Sequence, residues 1–329
     1  MTPSSENRMQ RVHYLDKVGG VLIVYMICLH LMQRTGLTGT PAFHFLETVF
    51  FFFLPWFFFK SGMMSKQRPF RDEATAVFRR LIVPFVVFSF LGWAFHCGYL
   101  WITGDRDPVH YLLTPAKALY LNGAVTGNLA LWFLFTLTLV RLLWNLLSRF
   151  LPLWAILAAG GAAGLLFHYF LPDFHPYYLA NTCLGLFFFC CGRLLKDRQF
   201  QRPYPLIALV VAVAMPVFVP SLVDMKNNLT LFGYHPVWLA ACPAGCVAID
   251  FLVSRIGRRG LFNWLGRHAM TLLVTHWIVL EQAQLIYETI LGKSAYAVWV
   301  YAFACLLILP LLCLLFERPR LSFLVGSSR

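Results

Sequence analysis

Long apolar runs, interrupted at intervals by short clusters of charge, proline and glycine, dominate the chain from residue 18 to residue 316. A hydrocarbon core needs roughly 20 apolar residues per crossing helix. Cutting the chain at its charged or Pro/Gly-marked breaks predicts ten helices, at approximately 18–37, 43–63, 77–101, 127–148, 151–171, 177–195, 204–222, 230–253, 268–290 and 296–316. In the fifth, Gly160, Gly161 and Gly164 permit close helix packing. In the seventh, Pro216 and Pro220 weaken the helical pattern. The expected architecture is all-α: a polytopic integral membrane protein of about ten transmembrane helices. Residues 1–17 form an amino-terminal segment, 18–316 the transmembrane domain and 317–329 a tail. No internal repeat is visible, and the longest connection, about 102–126, is too short for a separate domain.

Composition supports lipid rather than water as the main solvent. Only 12% of the 329 residues are charged, against ~25% in soluble domains, and 59% are hydrophobic. The net charge of +13 would suggest nucleic acid in a soluble protein. Here it sorts by position. With the amino terminus inside, all of the 27 Lys and Arg except Arg34, Arg106, Lys117, Lys226 and Lys293 fall on one side of the ten spans. That bias predicts both termini cytoplasmic in a multi-pass protein of the cell (inner) membrane, with no nucleic-acid partner. No cleavage site follows the first apolar run, which reads as a retained span rather than a removed signal peptide. The nine cysteines lie in apolar runs without CxxC spacing and predict neither a disulfide framework nor a metal site.

Ionisable side chains inside spans are expensive and each needs a reason. His30 lies about two-thirds along the first span with nothing ionisable beside it, and His276 sits mid-span in TLLVTHWIVLEQ. Each reads either as a helix-bridging group or as a chemical one. Glu47 and Glu281 lie toward the outer ends of their spans, where each can be placed near His30; a carboxylate on one imidazole nitrogen would leave the other as a base. Lys60 closes an almost wholly apolar stretch, and Arg79 and Arg80 open the next span from the same side. These three cations are either membrane anchors or a convergence point for a phosphorylated ligand. His96 and His168 also lie in apolar runs, yet no repeated spacing suits bis-His haem ligation.

Six segments in order resemble the acyltransferase type 3 family of integral-membrane acyltransferases. They are LDKVGGVLIVYMICLH (Leu15 to His30), FFFFLPWFFFKSGMM (Phe50 to Met64), FRRLIVPFVVFSFLGW (Phe78 to Trp93), LWFLFTLTLVRLL (Leu131 to Leu143), LFNWLGRHAMTLLVTHWIVL (Leu261 to Leu280) and FERPR (Phe316 to Arg320). Each is mostly apolar, and the specificity comes from their shared order over nearly the whole chain. Gly19 stands where many members carry a first-span Arg or Lys, with Lys17 two residues earlier, and Ala269 and Leu273 replace a usual Ser and Tyr.

The resemblance implies transfer of an acyl group, most often acetyl from acetyl-CoA, to a hydroxyl of a cell-surface or lipid-linked glycan. His30 matches the family's first-span His, as general base or acyl carrier. Arg79 and Arg80 match a basic pair expected to bind CoA phosphates, with Lys60 as a third contact. Ser61 is either a donor to phosphate or thioester or a helix cap. Glu47, Trp132, His276 and Glu281 are acceptor-side or structural candidates, and Glu317 with Arg318 is expected to pair and fix the last helix. The donor is acyl-CoA as a substrate, with no tightly bound cofactor and no metal. A homodimer, or a separate extracytoplasmic partner, is compatible with the pattern. The alternative is a transporter or flippase of a lipid-linked sugar, which would want inverted halves with broken helices; no half-to-half symmetry is evident.

Overall fold

The computed structural model describes residues 5–196, 200–201, 203–256, 260–290 and 297–326. The Lys and Arg of the sequence argument at 198, 202, 258, 259, 293 and 329 lie outside them. The chain is an all-α membrane protein, and nine helical segments among the described residues are long and apolar enough to cross a bilayer.

The first crossing is a single helix, α1 (Ser5–Arg34). The second is broken into α2 (Pro41–Val49) and α3 (Phe53–Met64). Thr40 caps α2 by accepting the Phe43 N–H at 3.3 Å, and Pro41 occupies the first turn, where its missing N–H costs nothing. The break between them follows from Pro55, which has no N–H for the Phe51 carbonyl one turn back. That carbonyl instead accepts Trp238 Nε1 at 2.9 Å, so a backbone group freed at membrane depth is satisfied by a neighbouring helix.

A polar excursion leads to α4 (Phe70–Val77), then a π-type turn at Phe78–Ile82, then α5 (Val83–Thr103). Here Pro84 withholds its N–H from Arg80, and the helical ladder loosens at that point. After the short α6 (Thr114–Asn122), α7 (Trp132–Leu147) returns, and Arg141 on it donates to Glu73 of α4 through Nε at 2.9 Å. Next come α8 (Leu153–Phe170) and α9 (Tyr178–Leu195). A Cβ at Gly160 would lie 3.0 Å from the Cys183 carbonyl, the close packing that the glycine triplet predicts.

The seventh predicted span differs from expectation. Helix α10 (Tyr204–Phe218) has 15 residues, about 22 Å at 1.5 Å per residue and short of a ~30 Å core. It stops before Pro220, and the chain enters a two-stranded antiparallel hairpin, β1 (Leu222–Asp224) with β2 (Leu229–Phe232). Helix α11 (His235–Ser254) follows, then the short α12 (Leu261–Arg267), α13 (Ala269–Ile290) and α14 (Ala297–Phe316).

Two glycine-lined crossings fix the centre of the array. A Cβ at Gly62 of α3 would stand 1.9 Å from the Phe189 carbonyl of α9, and one at Gly192 of α9 would stand 2.0 Å from the Phe59 carbonyl of α3. The same reciprocity joins α1 to α12, where a Cβ at Gly20 would meet the Phe262 carbonyl at 2.0 Å and one at Gly266 the Asp16 carbonyl at 1.6 Å. Backbone touches backbone at both, the contact that small residues allow in lipid. At the last helix, Glu317 meets His268, Oε1 to Nε2 at 2.8 Å, in place of the expected pairing with Arg318. All nine cysteines are free thiols.

Candidate active site

The helices enclose a cavity of about 790 Å³ whose walls come from α1, α2, α3, α7, the hairpin, α12 and α13. His30, Glu47, Lys60, Ser61 and Trp132 all line it, so residues predicted from three separate spans share one chamber. Tyr25, Phe53, Phe57, Phe133 and Leu137 make its middle apolar.

Lys60 and Ser61 mark one end, with Arg267 of α12 beside them. Lys60 Nζ donates to the Leu15 carbonyl at 3.3 Å, lies 3.8 Å from Asp16 Oδ1 and sits 5.3 Å from the centre of the Trp56 ring. The place that Gly19 leaves open is filled from α3: Lys60 Nζ would stand 3.5 Å from a Cβ at Gly19. Lys17 turns elsewhere, donating to the Ile256 carbonyl at 3.0 Å. Beneath the Lys60 end, fully buried Asp250 of α11 accepts Trp56 Nε1 at 2.8 Å, which locks the indole that Lys60 overlies.

His30 marks the other end. From Gly19 to His30, α1 rises about 16 Å at 1.5 Å per residue. His30 Nδ1 lies 3.0 Å from Gln33 Oε1, three residues on along the same face of the helix. An amide oxygen only accepts, so with this pairing Nδ1 carries the proton and Nε2 keeps its lone pair. The ring stacks on His276 with centroids 5.5 Å apart and meets the edge of Trp277 at 5.1 Å. Arg34 lies 4.7 Å over the Trp277 ring and donates to Gln284.

Of the other predicted residues only His276 touches that ring. Glu47 lines the cavity with its carboxylate 3.8 Å from His44, and Glu281 meets His96 at 3.3 Å, so Gln33 takes the orienting place at His30 that a carboxylate was expected to fill. His276 is fully buried behind His30 and does not line the cavity; its Nδ1 faces the Leu272 and Leu273 carbonyls, each at 2.9 Å. Arg79 and Arg80 are exposed on the π-type turn and lie outside the cavity lining. That turn packs on α7 and on the terminal turn Ser322–Val325.

Sequence reasoning missed four contributors. Gln33 carried the signal of i,i+3 helical spacing from His30. Arg267 stands within the quoted LFNWLGRH segment, and Asp250 is an intramembrane carboxylate, a functional flag in itself. The fourth, the hairpin with Asp224, Lys226 and Asn227 in the cavity wall, had no comparable signal.

The fold and cavity together define a polytopic all-α membrane protein that carries a polar-ended, apolar-walled chamber inside its helix array. The family model of the type 3 acyltransferase domain matches residues 12–318, nearly the entire chain. The protein belongs to this family and is a membrane acyltransferase. Comparisons with curated proteins and with solved structures return no match.

Proposed function

We propose that the protein is an O-acyltransferase of the inner cell membrane that moves an acetyl group from acetyl-CoA to a hydroxyl of a cell-surface or lipid-linked glycan. The observation that carries this reading is one cavity with an oriented histidine at one end and two cations, Lys60 and Arg267, with Ser61 at the other. The cationic end suits the phosphates of the donor, entering from the cytoplasmic side. The apolar middle suits the pantetheine arm, which carries the thioester to His30.

At His30 the chemistry needs a base, because a sugar hydroxyl is a poor nucleophile at neutral pH. Nε2 takes the hydroxyl proton as the oxygen attacks the thioester carbonyl carbon. The tetrahedral adduct collapses with cleavage of the C–S bond. The thiolate leaves and recovers the proton from the imidazolium, which restores the neutral ring. Gln33 holds Nδ1 and thereby the tautomer. His276 backs the ring and limits its tilt.

The test is acceptor-dependent release of CoA from radiolabelled acetyl-CoA by purified protein with a crude glycan extract. His30→Ala, with membrane insertion and monodispersity intact, is expected to lose about 10²- to 10⁴-fold in rate. Near-normal transfer by that variant overturns the mechanism. Movement of a lipid-linked sugar across vesicles without CoA release supports the transport alternative instead.

A further inference from the structure

The cavity has a third cation that the donor does not explain. Lys226 lies in the turn between β1 and β2 and lines the cavity with Asp224 and Asn227, at the end where His30 and Gln33 stand. Its charge is among those felt at the His30 ring.

The turn around it is built rather than loose. Asp224 accepts the Lys226 backbone N–H at 3.0 Å through one oxygen and Asn227 Nδ2 at 2.7 Å through the other. Fully buried Asn181 of α9 donates to the Lys226 carbonyl at 3.1 Å. His168 of α8 clamps the far strand, with Nδ1 3.1 Å from the Asn228 carbonyl and Nε2 3.1 Å from Thr230 Oγ1. Asn228 itself takes a left-handed backbone, φ 51°, which Asn tolerates in a tight turn. The result is a hairpin held from two helices that presents Lys226 to the cavity.

The ammonium so presented lacks a carboxylate. Both oxygens of Asp224 are engaged within the turn, and among the described residues no Asp or Glu oxygen lies within 4 Å of Lys226 Nζ. Burial pushes the lysine below its ordinary range, with Asp224 acting in the opposite sense. Holding a half-buried cation without a paired anion is costly unless a ligand supplies the anion. Gln33, Glu47 and Asn227 line the same cavity and offer the amide and carboxylate groups that hydroxyls bond to.

We infer that the β1–β2 hairpin is the acceptor subsite of this cavity, and that Lys226 selects acceptors carrying a negative charge beside their hydroxyls. This rests on the acyl-transfer reading above for the word acceptor. The binding preference itself stands without turnover. Carboxylate and phosphate share the required chemistry, and the test separates them.

The experiment measures affinity of the purified full chain for methyl glucuronide, glucose 6-phosphate and methyl glucoside, followed by quenching of the cavity tryptophans. Wild-type protein is expected to bind at least one acidic probe about 10-fold or more tightly than the neutral one. Lys226→Met removes that preference and Lys226→Arg retains it. The stronger acidic arm tells which anion the site takes. Equal binding of acidic and neutral probes, binding of none, or a preference that survives Lys226→Met overturns the inference; if Lys226→Met does not fold, the wild-type arms and Lys226→Arg decide. Acidic preference without any CoA release would instead overturn the acyl-transfer reading and leave the charged subsite standing.

Discussion

At the Lys60 end of the cavity, backbone lies on backbone; at the His30 end, the wall is a hairpin hung on side-chain hydrogen bonds. Lys60 and Ser61 directly precede Gly62, whose Cα faces the Phe189 carbonyl of α9 with no room for a methyl group. The hairpin that carries Lys226 and Asn227, by contrast, is held by Asn181 at the Lys226 carbonyl and by His168 at the Asn228 carbonyl and at Thr230 Oγ1, each at 3.1 Å. The difference teaches how each end responds to change. A backbone crossing either closes or does not, whereas a side-chain network loses strength bond by bond.

The largest expected effect therefore falls on the crossing. Gly62→Leu or Gly192→Leu would place Cβ about 2 Å from a carbonyl oxygen, and neither helix can give way without separating α3 from α9. Each variant is expected to yield no monodisperse protein on size-exclusion chromatography in detergent. Recovery of folded, active Gly192→Leu would break the comparison, because it would show that the Lys60 end is as adjustable as the hairpin.

How much of this was legible in the sequence follows the same division. Ionisable residues set in apolar runs stand out one at a time, so His30, Lys60 and Glu47 were found without knowing what they face. The seventh span ends short of its expected bound because the helix stops at Phe218, before Pro220, and the chain then pairs as a hairpin from Leu222; strand pairing is decided by contacts that no helical period reports. The broken second crossing had its cause in plain view at Pro55. Its stabilising partner, Trp238, lies on another helix far along the chain. Gly19 shows the limit in small: the sequence reveals a missing cation on α1, and only the packing of α3 on α1 shows that Lys60 takes its place.

A middle-sized effect separates two sets of cations. Lys60 and Arg267 line the cavity, while Arg79 and Arg80 are exposed outside it. Lys60→Met is expected to raise the KM for acetyl-CoA about 10-fold, the cost of one charge-assisted contact, and to leave the acceptor KM within about 2-fold. Arg79→Gln and Arg80→Gln are expected to change the donor KM by about 2-fold or less, an effect that disappears at high ionic strength, since exposed charges are screened over roughly 8 Å at physiological salt. Donor KM values for the three variants at low and high salt check this. A large, salt-resistant effect at Arg79 or Arg80 would move the phosphate site to the π-type turn.

The smallest effect sharpens the comparison at the His30 end. Gln33→Leu removes the acceptor from Nδ1 but leaves His30, the hairpin and the apolar walls in place. A neutral hydrogen bond contributes about 0.5–1.5 kcal/mol net, so the expected fall in kcat is about 2- to 13-fold. Donor KM should not move, because the Lys60 end lies about 16 Å away along α1. Gln33→Asn, with a shorter reach, is expected to recover little, because the bond depends on the i,i+3 geometry as well as on the amide. A kcat unchanged in Gln33→Leu would mean that His30 is held by its stacking on His276 and the edge of Trp277 alone. The His30 end would then resemble the other end after all, fixed by packing rather than by hydrogen bonds.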